Sequence, residues 1–309
     1  MINTLSILIP TYNDVCVELV KSLQAQAALL SETYRASNQS KASDFKYEIL
    51  VADDASTNLS IIEDNRIINH IAHCKYIERK QNVGRAAIRN FLAQEAQYAW
   101  LLFIDSDLRI DHPHFIRNYL QGEGKIIVGG VKIGGNPDIW KNNLRYKYEK
   151  ACEKAHDYLH RSKMGNKEFR TSNFLIEKTI LTIECPFDEN FKFYGYEDVM
   201  LGKQLTTQGY SIKHIDNPLL IDHYEGNYQF VRKTEEACRT LYLFREKLKG
   251  YSKLLDHAKK IKRWHLYPIC QTFFPILSLP IKARLTGNKP SVFWFNIYKL
   301  LYYIHLDRT

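Results

Sequence analysis

The chain has 309 residues, of which 45% are hydrophobic and 25% are charged. This length suffices for one large α/β domain with an appendage, or for two domains. The net charge of +9 is uneven: residues 1–244 hold 30 Lys and Arg against 31 Asp and Glu, whereas residues 245–309 hold 13 against 3. Because the basic excess lies in the tail, the composition argues against a nucleic-acid binder with a basic working face and predicts a separate surface-attaching segment.

Six cysteines are scattered along the chain without a C-x-x-C pair. Their spacing predicts neither a zinc site nor a disulfide framework, and it favours a reducing compartment. The N-terminus enters a strand pattern at residues 5–9 without a basic segment and a long apolar one before it, so we expect no secretory signal.

The first 130 residues alternate strand and helix patterns. The predicted strands cover residues 5–9, 47–52, 74–77, 99–104 and 126–131. The predicted helices cover residues 14–30, 60–72 and 84–98, and a polar loop is expected at 31–45. This order predicts βαβ units and an α/β fold with a mostly parallel sheet flanked by helices.

The second half of the chain is richer in helix patterns. Helices are predicted within residues 139–165, at 197–207 and within 229–263, and strands at 171–177, 210–215 and 219–221. We place a first, α/β domain at residues 1–228 and a helical C-terminal extension at 229–309.

The tail from residue 264 is aromatic as well as basic. Residues 264–281 are apolar but contain three prolines, so they do not form the pattern of a simple spanning helix. Residues 292–306 predict a helix with the apolar stripe Phe293, Ile297, Leu300, Leu301 and Ile304. The neighbouring basic residues are Lys282, Arg284, Lys289 and Lys299. This pattern predicts an interfacial helix on an anionic membrane, and the alternative is packing on the first domain or on a second subunit.

Carboxylates follow the apolar strand pattern of residues 99–104, as Asp105-Ser106-Asp107. Ligand sites of parallel sheets lie at the carboxyl ends of the strands. Alternating carboxylates form a hard-oxygen site suited to Mg²⁺ or Mn²⁺ carrying a phosphorylated ligand. The other interpretation is a polar turn that closes the strand.

Several segments in a fixed order resemble the motifs of family 2 glycosyltransferases, over about residues 5–225. They are residues 6–14, 51–57, 82–90, 105–107 and 194–198. The resemblance implies the GT-A fold and a metal-dependent, inverting transfer of a sugar from a nucleotide sugar, with a UDP-sugar as the expected donor. The implied acceptor is a hydroxyl of a glycan or lipid-linked saccharide in cell-surface polysaccharide synthesis.

The resemblance also implies roles in donor binding. Thr11 and Tyr12 end the first strand, where a base can stack or form hydrogen bonds. Asp53 or Asp54 accepts from a uracil N–H or a ribose hydroxyl, and the sequence does not decide between them. One of the two can instead serve as a helix cap or turn residue. Ala55 stands where the family usually has Gly, so the turn there is less free.

Asn82 and Arg89 follow the family's third motif. Arg89 is expected to reach the base or the diphosphate of the donor, or else to form a salt bridge on the helix surface.

The metal site follows from the same resemblance. Asp107 is expected to bind the Mn²⁺ or Mg²⁺ ion, and Asp105 the ribose or a metal-bound water. The cation neutralises the departing diphosphate. His223 stands where some relatives supply a further metal ligand or phosphate contact, and a structural histidine is the alternative.

Glu197 and Asp198 resemble the family's paired acids at a helix start. An inverting transfer needs a carboxylate to accept the proton of the attacking acceptor hydroxyl. Asp198 is the expected base, and Glu197 is expected to bind the acceptor or the donor sugar. Alternatively, both acids stabilise the helix dipole. Phe193, Tyr194 and Tyr196 are expected to form a sugar-stacking wall or to pack in the core.

Other functions fit the residues less well. A nucleotidyltransferase also uses paired carboxylates and a metal, but residues 11–17 lack a Gly-rich basic loop. A nucleotide- or glycan-binding module without turnover is the main alternative, and a dehydrogenase lacks its G-x-G-x-x-G motif after the first strand. We expect a cytoplasmic protein, peripheral on the inner face of the plasma membrane, with no nucleic-acid partner. The oligomeric state stays open.

Overall fold

The structure is a computed structural model that describes residues 2–37 and 45–307. Its main sheet has seven strands in the order β3-β2-β1-β4-β7-β5-β8, and β6 pairs with β9 in a second, two-stranded sheet. Strands β1 to β4 run parallel to one another, and β7 is antiparallel to β4 and β5. The mostly parallel sheet predicted from the sequence is confirmed.

The strands lie close to the predicted ones. They are β1 Thr4–Thr11, β2 Lys46–Asp53, β3 Cys74–Glu78, β4 Trp100–Ile104, β5 Ile126–Val128, β6 Val131–Ile133, β7 Asn173–Glu177, β8 Lys213–His214 and β9 Leu219–Ile221. The strand predicted at 126–131 divides because Gly129 and Gly130 separate β5 from β6, which pairs in the second sheet.

Twelve α-helices are present among the described residues. They are α1 Val17–Ser37, α2 Leu59–Arg66, α3 Arg85–Glu95, α4 Phe115–Leu120, α5 Pro137–Trp140, α6 Leu144–His156, α7 Tyr158–Met164, α8 Glu197–Thr207, α9 Asn227–Leu243, α10 Lys253–Arg263, α11 Tyr267–Thr286 and α12 Val292–Leu306. The loop predicted at 31–45 is helical up to Ser37, because Leu30 and Tyr34 continue the apolar face of α1 onto the core. Its remaining part, 38–44, lies outside the described residues.

Apolar side chains cover both faces of the main sheet. One cluster joins the sheet to α1 and α4, and the other joins it to α3 and α8. The central strands bury nearly every side chain, as the unbroken apolar patterns of β1 and β4 predict for a two-sided sheet. The helices therefore fix the carboxyl ends of β1, β2 and β4 at one edge.

The C-terminal helices pack on one another and on α6. Two further apolar clusters form there, one of them joining Leu144 of α6 to Val231 of α9 and Phe295 of α12. The predicted boundary between residues 228 and 229 falls in the first turn of α9 and stays a prediction.

The predicted interfacial helix α12 packs mainly inward. Ile304 is fully buried, while Ile297, Leu300 and Leu301 pack half-buried against the two C-terminal clusters. Of the predicted stripe, Phe293 is the exposed member. The expectation of a membrane-facing α12 is therefore wrong, because the stripe is used to pack the helix on α9, α10 and α11.

Helix α11 runs continuously through Pro275 and Pro280. Among the described residues, no helix is both long enough and apolar enough to cross a membrane.

Side-chain hydrogen bonds join the loops that follow β1 and β2. Asn13 Oδ1 accepts from the N–H groups of Thr57 and Asn58 at 2.9 and 3.0 Å, and the Asn13 N–H donates to Ser56 Oγ at 2.7 Å. Ala55 lies within this turn at φ 60°, in the left-handed region. An L-residue with a Cβ is strained there, so the turn keeps a conformation that suits glycine better.

We expect Ala55→Gly to raise the free energy of unfolding by about 0.5–1 kcal/mol, because the relief of the left-handed strain exceeds the added entropy of the unfolded chain. Ala25→Gly, on the exposed side of α1, is the matched control and should lower stability by about 1 kcal/mol. Urea denaturation measures both. A loss of stability in Ala55→Gly would contradict the strain argument.

Candidate active site

Two arginines on α3 join the end of β4 to the start of α8. Arg89 Nη2 donates to Asp105 Oδ1 at 2.5 Å, and Arg85 Nη2 lies 3.4 Å from Asp105 Oδ2. Arg85 Nε also donates to Glu197 Oε1 at 2.8 Å, and Arg89 Nη1 lies 3.7 Å from that oxygen. The arginines act together because residues four apart share a helix face. We call these four side chains the ion-pair network.

Arg89 forms the buried floor of the ion-pair network. Its side chain is 1% exposed, and its Nη1 also donates to the carbonyl of Arg85 at 3.1 Å. This burial contradicts the alternative of a salt bridge on the helix surface, and the contact of Arg89 with the donor stays a prediction. A buried cation needs such partners, and Arg89 therefore positions Asp105 from below.

Glu197 and Asp198 begin α8, as predicted. The helix follows Gly195 and Tyr196, both at positive φ, and Tyr196 holds the left-handed conformation at φ 70°. Glu197 is buried in the ion-pair network, whereas Asp198 is half-buried and accepts a hydrogen bond from the Val199 N–H at 2.7 Å. Burial, together with the charge of Glu197, raises the pKa of Asp198 to about 6.

Asp107 and Asp14 bring two more carboxylates to this edge. Asp107 has an exposed side chain, but the surrounding protein desolvates it, and this raises its pKa together with the charge of Asp105. Burial likewise raises the pKa of Asp14, which hydrogen-bonds to Ser106. Within the described part of the chain, Asp14 Oδ2 is buried without a hydrogen-bond partner.

The residues at this edge fit a divalent cation that is shared with a ligand. Asp107 is not among the residues of the ion-pair network, so its oxygens stay open to a hard cation. No group of three or more His, Cys, Asp or Glu side chains in residues 2–37 and 45–307 is placed to hold a metal by itself. Mg²⁺ and Mn²⁺ commonly take one or two carboxylates and complete their shells with phosphate and water, so a phosphorylated ligand would have to supply the remaining ligands of a cation here.

His223 lies two residues after the end of β9. Its side chain is 82% exposed, and its Nδ1 lies 3.1 Å from Asp222 Oδ1. Asp222 pairs in turn with Arg109. The charge of His223 opposes the rise in the pKa of Asp14 that burial causes.

The carboxylates of Asp53 and Asp54 fix loops at the carboxyl end of β2, which we call the predicted nucleotide edge. Asp53 accepts from the Ser56 N–H at 2.7 Å and from the hydroxyl of Tyr76. Asp54 accepts from the N–H groups of Val83 and Gly84, both at 2.9 Å. Both side chains are buried, and the choice between them as the base contact stays open.

Gly84 stands where β3 leads into α3, at φ 86°. A Cβ there would lie 2.9 Å from the carbonyl oxygen of Lys192. The close approach and the backbone conformation both require glycine. Asp54, which holds the Gly84 N–H, thereby sets the start of the helix that carries Arg85 and Arg89.

The other predicted donor residues differ in exposure. Thr11 is buried, and its hydroxyl donates to the carbonyl of Asp14 at 3.1 Å. Tyr12 is 48% exposed and Asn82 is also exposed, so both side chains are open to a ligand. Of the two residues at the end of β1, Tyr12 is therefore the one whose side chain is open to a ligand.

Cations and an aromatic ring line the side of the cleft formed by α6 and α9. The ring centroid of Tyr194 lies 5.4 Å from the Arg85 guanidinium carbon and 5.7 Å from Lys233 Nζ. Lys233 Nζ and Arg145 Nη1 share Glu225 Oε2 at 3.1 and 2.7 Å. The charge of Arg145 also acts on Asp107, so this group lies within electrostatic reach of the predicted metal site.

The predicted aromatic wall divides into separate roles. Tyr194 joins the cleft, Phe193 is 58% exposed, and Tyr196 packs in a C-terminal apolar cluster. For Tyr196, the core alternative is therefore correct.

Sequence reasoning missed Arg85, Asp14 and Arg145. The spacing of Arg85 and Arg89 on a predicted helix was a usable signal, since the two share one face. Asp14 stood in a quoted motif without a role. Nothing in the local sequence around Arg145 indicates that it approaches the cleft, because the fold brings α6 there.

One family model matches more than half of the chain. The model of glycosyl transferase family 2 matches residues 6–185. The search of curated proteins found no match.

Solved structures share the fold at low sequence identity. A mannosyltransferase from Pyrobaculum calidifontis, in complex with GDP-Man and Mn²⁺, is 14% identical with a TM-score of 0.53, over 97% of this chain and 84% of its own. S. aureus TarS in complex with UDP-GlcNAc is 14% identical with a TM-score of 0.48, over 99% of this chain and 91% of its own. The first likeness supports the GT-A fold predicted for this chain.

We expect Arg89→Gln to lower the free energy of unfolding by about 3–5 kcal/mol, because it leaves Asp105 and Glu197 short of a buried partner. Arg85 is 42% exposed, so Arg85→Gln should cost about 1 kcal/mol or less. Equilibrium urea denaturation compares the two. Equal losses of unfolding free energy in the two variants would contradict the argument that the buried arginine contributes more to stability than the exposed one.

Proposed function

Because the chain belongs to glycosyl transferase family 2, we propose that it transfers a sugar from a UDP-sugar to a hydroxyl of a glycan or lipid-linked saccharide, with inversion and with Mn²⁺ or Mg²⁺. The transferred sugar is a hexose or an N-acetylhexosamine, and the pathway is cell-surface polysaccharide synthesis. The family match makes the chain a glycosyltransferase. The finer statements on donor, metal, acceptor and stereochemistry are our proposal.

One observation carries the proposal: the ion-pair network connects Asp105, two residues before the predicted metal ligand, with Glu197, the neighbour of the predicted base. Arg85 contacts both Asp105 and Glu197, so the strand end and the helix start share one cleft. Asp107 lies two residues after Asp105 and Asp198 directly follows Glu197, and each keeps a carboxylate oxygen for a ligand. A donor diphosphate and an acceptor hydroxyl can thus be held next to each other.

Four side chains have assigned roles in the proposed reaction. A bound divalent cation supplies Lewis-acid stabilisation of the departing diphosphate. Asp107 binds that cation, with His223 as a further ligand or phosphate contact, and Asp105 holds the ribose or a metal-bound water. Asp198 accepts the proton of the acceptor hydroxyl as its oxygen attacks the anomeric carbon and the bond to UDP breaks.

The donor base is placed at the edge formed by β1, β2 and β3. Tyr12 is exposed for stacking, and Asp53 or Asp54 accepts from the uracil N–H. Both carboxylates already accept hydrogen bonds that fix their loops, which supports a pre-organised site because little has to move when the nucleotide binds. Asn82 is also exposed, and we include it among the residues that bind the donor.

We place the enzyme peripherally on the inner face of the plasma membrane, near lipid-linked or growing acceptors. The basic tail of residues 245–309 supports this placement, because anionic lipids attract such segments.

We expect Asp198→Asn to lower turnover of the UDP-sugar by about 10²–10⁴-fold, since the proton of the acceptor hydroxyl then has no base. The affinity for UDP, measured by isothermal titration calorimetry, should stay unchanged. Full activity in this variant would remove Asp198 from the role of base.

The pH profile provides a second test of the base. Asp198 has a pKa of about 6 and acts when ionised, so kcat/KM should be level above that pH and fall on acidification below it. The limiting slope is about tenfold per pH unit for a single ionisation. A kcat/KM that stays constant well below pH 6 would contradict this assignment.

The donor and the metal are tested by thermal shift with UDP-, GDP-, CDP- and dTDP-sugars, each with and without Mn²⁺. We expect the UDP-sugar with Mn²⁺ to raise Tm most, because a ligand stabilises the folded state that binds it. Asp107→Asn should remove the Mn²⁺-dependent part of the shift, whereas Asp64→Asn, exposed on α2, should keep it. A larger shift with another nucleotide would overturn the UDP assignment.

A further inference from the structure

The outer side of α11 is an apolar surface. Its exposed large side chains follow one another at helical spacing. They are Leu266, just before the helix, and Ile269, Phe273, Ile276, Leu277 and Leu279 within it. At 100° per residue, all but Leu279 lie within about a third of the circumference. A helix whose outer side is apolar lacks the polar face that a water-facing helix normally has.

The inner side of α11 fixes this surface in place. Phe274, Ile281 and Leu285 are buried against α9 and α12. Lys282 Nζ donates to the buried Glu235 of α9 at 2.7 Å. Contacts with α9 and α12 therefore hold α11 in place, and the apolar surface faces solvent.

Basic residues stand at both ends of α11. At the N-terminal end, α10 closes with the exposed Lys259, Lys260, Lys262 and Arg263, followed by the 63% exposed Trp264. At the C-terminal end, Arg284 and Lys289 are exposed. The other two basic residues of the predicted membrane segment point inward, because Lys282 pairs with Glu235 and burial lowers the pKa of Lys299.

We propose that the outer side of α11 docks in the plane of an anionic lipid bilayer, with the basic ends on the headgroups and Trp264 at the interface. This extends the membrane placement in our proposed function. An apolar row flanked by cations and an interfacial aromatic is the pattern of a helix that lies on a membrane. Large apolar patches on a soluble surface also mark sites of association.

Charge favours lipid over a second copy of the chain. If two copies packed through α11, in either relative direction, a basic end of one helix would meet a basic end of the other. Like charges brought together oppose association, whereas anionic headgroups neutralise both ends.

The docked helix is connected to the side of the cleft formed by α6 and α9. α9 packs against α11 and α12, and it also carries Lys233, which contacts Tyr194 and Glu225. Glu236 of α9 accepts from the Tyr194 N–H at 3.0 Å. A bilayer held by α11 would thus have a fixed position relative to this side of the cleft.

Vesicle sedimentation with the full-length protein tests the proposal without any turnover, so its failure and that of the sugar-transfer proposal are distinguishable. The vesicles are phosphatidylcholine with and without phosphatidylglycerol. The test variant is Ile269→Ser/Phe273→Ser/Ile276→Ser. The control is Leu59→Ser/Ile139→Ser/Ile183→Ser, which changes comparably exposed apolar residues elsewhere. Since all six are exposed, both variants should keep the wild-type urea midpoint.

We expect the wild type to bind the anionic vesicles, more weakly at high salt, and the control to match it. The α11 variant should bind on the order of a hundredfold more weakly, because it removes three large apolar side chains from the contact. On binding, Trp264 emission should shift to shorter wavelength, and Trp264→Phe should remove that shift.

Two outcomes would overturn the proposal. One is equal vesicle binding by the wild type and the α11 variant, or no binding by either. The other is a wild-type dimer in sedimentation equilibrium that the α11 variant converts to a monomer, with no binding of vesicles, which would assign the surface to a second copy of the chain.

Discussion

The pairing of two arginines with two carboxylates across three separate elements is the constraint on which the site depends. β4 ends in Asp105, α8 starts with Glu197, and α3 supplies the cations between them. Bringing acids together in a partly desolvated cleft is unfavourable unless cations compensate them. Arg89 provides this compensation from the core and Arg85 from the cleft. Arg85 also opposes the rise in the pKa values of Asp107 and Asp198, to which burial and the charges of Asp105 and Glu197 contribute.

The same constraint explains the precision of the surrounding loops. α3 can present its arginines only if its first turn is fixed, and Asp54 fixes it through the Gly84 N–H. Asn13 joins the loops after β1 and β2 in the same way. Hydrogen bonds between loops thus connect the predicted nucleotide edge to the ion-pair network. In a fold where catalytic groups come from many loops, such bonds between loops replace the rigidity that strands provide.

Much of this could be predicted from local sequence. The strands around Ile7 and Phe103 have unbroken apolar patterns, and α8 begins and ends where its acids and Gly209 indicate. The family's motifs also placed Asp105, Glu197 and Asp198 together before any geometry was known. What these features share is that a few neighbouring residues determine them.

The rest depended on long-range packing. The sequence around Arg89 does not indicate whether its side of α3 is buried or exposed. Its burial therefore could not be inferred from the sequence. The stripe of α12 and the surface of α11 are both apolar patterns, and only the packing of α9 decides which of them faces solvent. The approach of Arg145 to Asp107 similarly joins distant parts of the chain. Pattern shows that a face is apolar, but the tertiary structure determines what covers it.

The two prolines inside α11 limit how deep this helix can sit in a bilayer. Pro275 and Pro280 have no amide N–H, so each removes one hydrogen bond from the helical ladder. In the hydrocarbon region a carbonyl without a donor costs several kcal/mol, whereas at the headgroups water can supply the missing bond. A docked α11 would therefore remain at the level of the headgroups. Attachment at this depth would be readily reversible, so the protein could leave one membrane site and bind another.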